Sequence, residues 1–227
     1  MTRLLALDIE TVPLPAAATL PYPESDRTPP SNYKSDDAIA RWREKDRAEW
    51  AVGLAKDAAL SPRTGRVAAV GLVTGRGDDL SICTEDERLV LAHTVKAIRE
   101  ADVCVTWNGL TFDFPFLAVR AAILGVDLPG TFSFAPYLRR YVTRPHCDVR
   151  AILTQWDSRA KGTLGDWLTA FGLPPKTGHG SDVAALWAGG QFDAIRQYAA
   201  DDAVRELALY RRVAPYYGID TDAERAA

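Results

Sequence analysis

Asp8 and Glu10 stand two residues apart at the end of an apolar run, Leu4-Leu5-Ala6-Leu7. On a strand that spacing puts both carboxylates on one face. Asp113 follows a second apolar stretch and a glycine turn, in Trp107-Asn108-Gly109-Leu110-Thr111-Phe112-Asp113-Phe114-Pro115-Phe116-Leu117. Tyr198 and Asp202 stand four apart, one above the other on a helix. Each feature alone has a plain reading: a solvated strand end, a helix cap at Asp113, a turn residue at Asn108. Tyr22/Asp26, Tyr33/Asp37 and Tyr216/Asp220 share the tyrosine spacing, but lie in loops or near the chain end. Asp201, one residue off the Tyr198 face, is assigned to solvent. Four carboxylates converging on one place would repel unless cations sat among them. Two divalent ions held by carboxylates can hydrolyse a phosphodiester.

Other chemistries lack their residues. Cys83, Cys104 and Cys147 form no CxxC pair, and His93, His146 and His179 are scattered. Zinc of the Cys/His type and a Ser-His-Asp hydrolase are therefore not expected. No GxSxG, HExxH, Walker A loop or GxGxxG occurs.

The elements that must position these acids read as follows. Residues 3–8 form a buried strand, and 13–31 an irregular loop rich in Pro and Ser. Residues 36–60 form a helix, with Ile39, Trp42, Trp50 and Leu54 at helical spacing. Residues 66–74 and 79–84 pair as a hairpin across Gly75-Arg76-Gly77-Asp78. Helices are expected over 85–100 and 113–124, with a buried strand over 101–107 between them. From Asp148 on the pattern is helical: 148–156, 163–172, 181–188 and 192–217. This is an α/β domain with a mixed sheet, flanking helices and a helical C-terminal half. One domain is expected over residues 1–218, with 13–65 a loop-plus-helix insertion and 219–227 a frayed tail.

The 227 residues carry 30 acids, 27 Lys or Arg and a net charge of −3, and 47% are hydrophobic. A soluble globular chain fits this composition. No apolar run reaches the ~18 residues of a membrane span, and the short apolar N-terminus does not read as a secretory signal. A cytoplasmic location is expected. The net charge is not that of a nucleic-acid binder, but residues 139–180 hold seven Lys or Arg, including Arg139 and Arg140, against three acids. That segment is either a phosphate-tracking surface or a solvated helical face.

At the acidic motifs the chain resembles the DEDD family of 3′–5′ exonucleases, in its tyrosine subclass. Leu7-Asp8-Ile9-Glu10-Thr11 resembles the first motif, Asn108 to Leu117 the second, and Tyr198-Ala199-Ala200-Asp201-Asp202 the third. The second is the most specific, and is similar to that of B-family DNA polymerase exonuclease domains. Beyond the motifs, Pro30-Ser31-Asn32-Tyr33-Lys34, Leu164-Gly165-Asp166-Trp167-Leu168 and Phe171-Gly172-Leu173-Pro174 are similar to free-standing exonucleases related to that domain. The likeness spans nearly residues 3–213.

The resemblance implies a ribonuclease H-like fold. It implies that Asp8, Glu10, Asp113 and Asp202 bind two Mg²⁺ or Mn²⁺ ions, with Asp8 bridging, and that Tyr198 orients the attacking water. Asn108 and Phe112 match positions that touch the terminal nucleotide; Thr11, closing the first motif, joins them as a substrate contact. Ala199 departs from the cysteine common after the motif tyrosine. The implied substrate is the 3′ end of single-stranded nucleic acid, DNA favoured, released as 5′ mononucleotides. No polymerase is expected in a chain of this length, so a polymerase or repair partner would act in trans. The alternatives are an RNA 3′ exonuclease on the same site, and an inactive ribonuclease H-like module that binds nucleic acid.

Overall fold

A computed structural model describes residues 2–157, 159–178 and 180–219. The expected tail lies outside the described residues from 220 on. The chain divides into two compact units, Met1–Thr11 with Val67–Ala227, and Val12–Arg66.

The larger unit is built on a mixed five-stranded sheet. Its strands are β1 (Leu4–Pro13), β2 (Gly65–Thr74), β3 (Ile82–Cys83), β4 (Val103–Thr106) and β5 (His146–Asp148), in the order β3-β2-β1-β4-β5. β4 runs parallel to both β1 and β5, with Leu5 opposite Cys104 and Cys104 opposite His146. β2 and β3 are antiparallel. Helices α2 (Glu87–Glu100), α3 (Asp113–Leu124), α4 (Val149–Leu153), α5 (Leu164–Ala170), α6 (Val183–Ala188) and α7 (Phe192–Val213) flank the sheet.

Strand alternation divides the core and aims the acids. Leu5, Leu7 and Ile9 of β1 join the cluster containing Leu91 and Ile98 of α2 and Phe114 and Leu117 of α3. Leu4 and Ala6 join the other cluster, with Leu207, Tyr210 and Val213 of α7. Asp8 and Glu10 share the parity of Leu4 and Ala6, so both fall on the α7 side of the sheet. Each large apolar side chain so buried contributes about 1.5–3 kcal/mol. The pattern leaves β1 no second register.

Two close approaches tighten this frame. A Cβ on Gly71 of β2 would lie 2.0 Å from the Ala199 carbonyl oxygen; only glycine lets α7 sit so near the sheet. A buried ion pair, Arg120 to Glu87 at 2.6 Å, joins α3 to α2, and Glu87 also accepts the Val67 N–H at 2.8 Å.

The structure corrects several boundaries. β1 continues to Pro13 rather than ending at residue 8, so Glu10 and Thr11 are strand residues. β5 lies where only the start of a helix was expected. The strand expected over 79–84 is reduced to Ile82–Cys83 with one bridge from Asp79 to Val73.

The smaller unit contains α1 (Asp36–Asp57), capped by the Ser35 hydroxyl, which accepts the Ala38 N–H at 3.3 Å. Tyr22 donates to Asp46, and its ring meets the edge of Trp50 at 5.7 Å. Asp46 also pairs with Arg27 at 2.9 Å. Tyr22 is thus committed to Asp46 on α1, not to Asp26.

Candidate active site

Asp8, Glu10 and Asp202 each offer one carboxylate oxygen to a group whose members all lie within 4.8 Å of one another. β1 supplies the first two by alternation, and α7 supplies Asp202, nearly fully buried at 2% exposure. Asp113 is the first residue of α3, not its cap: Phe112 holds the cap position. The Asp113 carboxylate instead accepts the Ile9 N–H at 3.1 Å, between the two β1 acids. Asp113 stands outside the group of three, yet its charge acts on both Asp8 and Glu10.

The loop before α3 is fixed from below. Asn108 has φ of 68°, a left-handed turn that asparagine tolerates. Asp148, buried at the end of β5, accepts the N–H groups of Asn108, Leu110 and Ala151 at 3.0–3.1 Å. Gly109 donates to the Thr106 hydroxyl oxygen at 3.1 Å; a Cβ there would meet that oxygen at 2.2 Å. The Thr106 hydroxyl lies 2.8 Å from Nε2 of His146, whose Nδ1 lies 2.7 Å from the Tyr137 carbonyl oxygen. A carbonyl only accepts, so Nδ1 carries the proton and Nε2 accepts from Thr106. Burial lowers the His146 pKa, which agrees with a neutral ring.

The acids are strongly perturbed. Burial, then the charges of Glu10 and Asp113, raise Asp8 well above the usual carboxylate range. Burial, then Asp202, pushes Glu10 up to about 8. Burial pushes Asp113 up to about 7. Lys176 answers them with a positive charge. The Lys176 ammonium sits 2.6 Å from Asp202 Oδ2 and 5.5 Å from the centroid of the Tyr198 ring. Burial alone would lower its pKa, but its bond to Asp202 and the surrounding acids raise it. Burial and Asp202 push the Tyr198 hydroxyl up to about 12, so it remains a protonated donor.

Asp202 Oδ1 is buried without a hydrogen-bond partner, and so is Oε2 of Glu206. Glu206 lies one turn beyond Asp202 on α7, is 1% exposed and accepts the Trp107 N–H. Burial and the charge of Asp8 raise it well above the usual range. Asp8, Lys176 and Glu206 line one recess with Asn108, Thr111 and Arg150. The clustered oxygens of Asp8, Glu10 and Asp202, with Asp202 Oδ1 orphaned, fit a divalent cation.

Sequence reading did not single out Glu206, Asp148 or the role of Lys176. Glu206 continues the 198/202 stripe by one more turn, and that spacing is the signal that could have found it. Among the substrate candidates, Asn108 faces the recess, accepting from Thr111 at 2.7 Å and Arg150 at 3.3 Å. Phe112 packs on Phe116 at 5.6 Å, and Thr11 is a half-buried residue of β1. Arg139 and Arg140 are both exposed. Arg140 lines a neighbouring recess that Arg139 does not. Asp201 is half-exposed and bonds Gln197 at 3.0 Å and Thr177 at 3.2 Å, away from the acidic group.

Residues 65–225 match a family described as predicted 3′–5′ exonucleases related to the exonuclease domain of PolB. The chain belongs to that family. This PolB-related exonuclease chain is 30% identical over 142 residues to a DNA polymerase of Pyrococcus glycovorans, covering 57% of the chain and 18% of the polymerase. It is 31% identical over 130 residues to DNA polymerase 1 of Pyrococcus abyssi, covering 52% of the chain and 17% of that protein. It thus spans less than a fifth of each. The family B DNA polymerase structure from Pyrobaculum calidifontis shares the fold, with a TM-score of 0.59 over 95% of this chain and 25% of the other, at 20% identity. The PolB-related match begins after Asp8 and Glu10, so the first acidic pair rests on the geometry above.

Proposed function

We propose that this chain is a metal-dependent 3′–5′ exonuclease of the tyrosine subclass, which hydrolyses the terminal phosphodiester of single-stranded nucleic acid, with DNA favoured. The observation that carries the reading is the convergence of Asp8, Glu10 and Asp202 within 4.8 Å, below a protonated Tyr198 one turn away. Asp8, Glu10, Asp113 and Asp202 would hold two divalent ions, Mg²⁺ or Mn²⁺. When bound, such ions lower the pKa of water and stabilise a departing oxygen.

The protein's own groups do the positioning. Tyr198 donates a hydrogen bond that fixes the attacking water against the terminal phosphorus. Lys176, held by Asp202 and the Tyr198 ring, places a positive charge beside the anionic phosphodiester. Asn108 and Thr111 at the mouth of the recess meet the last nucleotide. DNA is favoured over RNA because the relatives named above are DNA polymerases. A polymerase or repair partner and a cytoplasmic location belong to the same proposal. Among the described residues no helix is long and apolar enough to cross a membrane.

The test is digestion of 5′-labelled single strands of DNA and RNA with Mn²⁺, using the wild type and Asp8→Ala. A ladder shortening stepwise from the 3′ end, lost in Asp8→Ala, is expected. Cuts inside circular single-stranded DNA would refute the exonuclease assignment, and full activity in Asp8→Ala would refute the metal assignment.

A further inference from the structure

The recess at the carboxylates continues past them. Asn108, Thr111 and Arg150 line it and also line a second recess, which runs on to Arg140 and Trp156. At its far end the Tyr141 ring meets Trp156 with centroids 5.2 Å apart and planes inclined by 52°. The Arg140 guanidinium lies 5.7 Å from the Tyr141 centroid and donates to the Trp156 carbonyl at 3.4 Å. Tyr141 is 72% exposed, so packing does not account for it.

The backbone here is held in an unfavourable shape. Tyr141, Gln155 and Trp156 have φ of 63°, 51° and 64°. With Asn108 they are the four non-glycine residues at positive φ among the described residues. Such conformations persist where the surroundings impose them, and they cluster at ligand sites. The acids nearby are already engaged. Asp148 accepts three N–H groups, and Asp157 is bonded by Arg159 at 3.2 Å. The recess therefore presents aromatic faces beside the exposed Arg140 guanidinium and the half-buried Arg150, and leads to the carboxylates.

We propose that Tyr141 and Trp156, with Arg140, form a stacking platform for an upstream base of the single strand whose 3′ end lies at Asp8 and Asp202. Arg150 and Asn108 occupy the stretch between the two points. The inference rests on the exonuclease reading for its direction, and names how the substrate is held outside the reacting residues. A ring face accepts any base, so the platform adds affinity without sequence preference.

The test is fluorescence anisotropy with a fifteen-nucleotide oligo(dT) in EDTA, where no cleavage occurs. Tyr141→Ala should weaken binding by about 5- to 50-fold, Tyr141→Phe should retain it, and Arg140→Glu should weaken it and flatten its salt dependence. Tyr216→Ala, which removes another exposed ring, is the control. With Mn²⁺, the Tyr141→Ala defect should fall mainly on KM. Native affinity in both Tyr141→Ala and Arg140→Glu would overturn the platform, as would a wild type that does not bind the oligonucleotide. If the wild type binds but shortens no strand, the exonuclease reading fails, while the EDTA titrations still decide the platform.

Discussion

Replacing Lys176 by methionine keeps the length of the side chain and removes a cation bonded to the acidic group. Its ammonium is 2.6 Å from Asp202, whose side chain is 2% exposed, while the lysine is 32% exposed. Charges about 4 Å apart attract by about 4 kcal/mol at an effective dielectric near 20. Removing one partner of a buried pair costs about 3–5 kcal/mol. Lys176 also relieves Asp8 and Glu10, but the partial exposure of the lysine and proton uptake by the abandoned carboxyls offset part of the loss. A net cost of about 3 kcal/mol at neutral pH is expected in EDTA. For a chain of this size that lowers Tm by about 6–12 °C. Saturating Mn²⁺ supplies the missing positive charge, so the deficit should shrink to less than half. Thermal melts of both proteins, with and without Mn²⁺, measure this, with Lys161→Met as an exposed control. An equal drop in the two conditions would refute the view that Lys176 balances the charge of a metal-binding cluster.

The pH response has a definite sign. Glu10 and Asp113 are raised to about 8 and about 7, so their contribution to stability is complete at low pH and is lost as pH rises through those values. Melts in EDTA should show Tm falling from about pH 4 to 8, and Glu10→Gln should flatten the fall; an unchanged slope would count against it. Tyr198→Phe should lower kcat by about 10- to 1000-fold while Mn²⁺ titration by calorimetry shows retained binding; a normal rate would make the hydroxyl structural. Gly71→Ala drives a Cβ against the Ala199 carbonyl and should cost about 3 kcal/mol in urea unfolding, with activity lost because α7 carries Tyr198 and Asp202. A stability within error of the wild type would mean that α7 can withdraw freely.

Residues governed by local periodicity were legible. The alternation of Leu4 to Glu10 and the four-residue spacing of Tyr198 and Asp202 each name a face, and the sheet places those faces together. The apolar stretch before Asn108 marked β4. β5 was hidden because His146-Cys147-Asp148 is too short to show a period, and its polar ends read as a turn into a helix. Asp148 and Lys176 are recognisable only through what they touch: two amides of a distant loop besides the Ala151 amide of the helix that Asp148 itself caps, and an acid of α7. Glu206 shows in the sequence only as one more turn of the 198/202 stripe. The separation of Arg140 from Arg139 depends on which side of one turn faces Trp156, which charge counting along 139–180 does not reveal.

The hydrogen bonds from Gly109 through Thr106 and His146 to the Tyr137 carbonyl run in one direction only. Each group gives its proton to the next, and the last can return none. A second proton on His146 would turn Nε2 into a donor, and the Thr106 hydroxyl would have to rotate its own proton to another acceptor at a site where Thr106 is fully buried. Burial, which lowers the His146 pKa, and this run of donors both favour the neutral ring, so mild acid is expected to leave the Asn108 turn in place. The Asn108 turn should hold its shape while Asp8, Glu10 and Asp113 titrate. Acid should therefore disarm this protein before it deforms it.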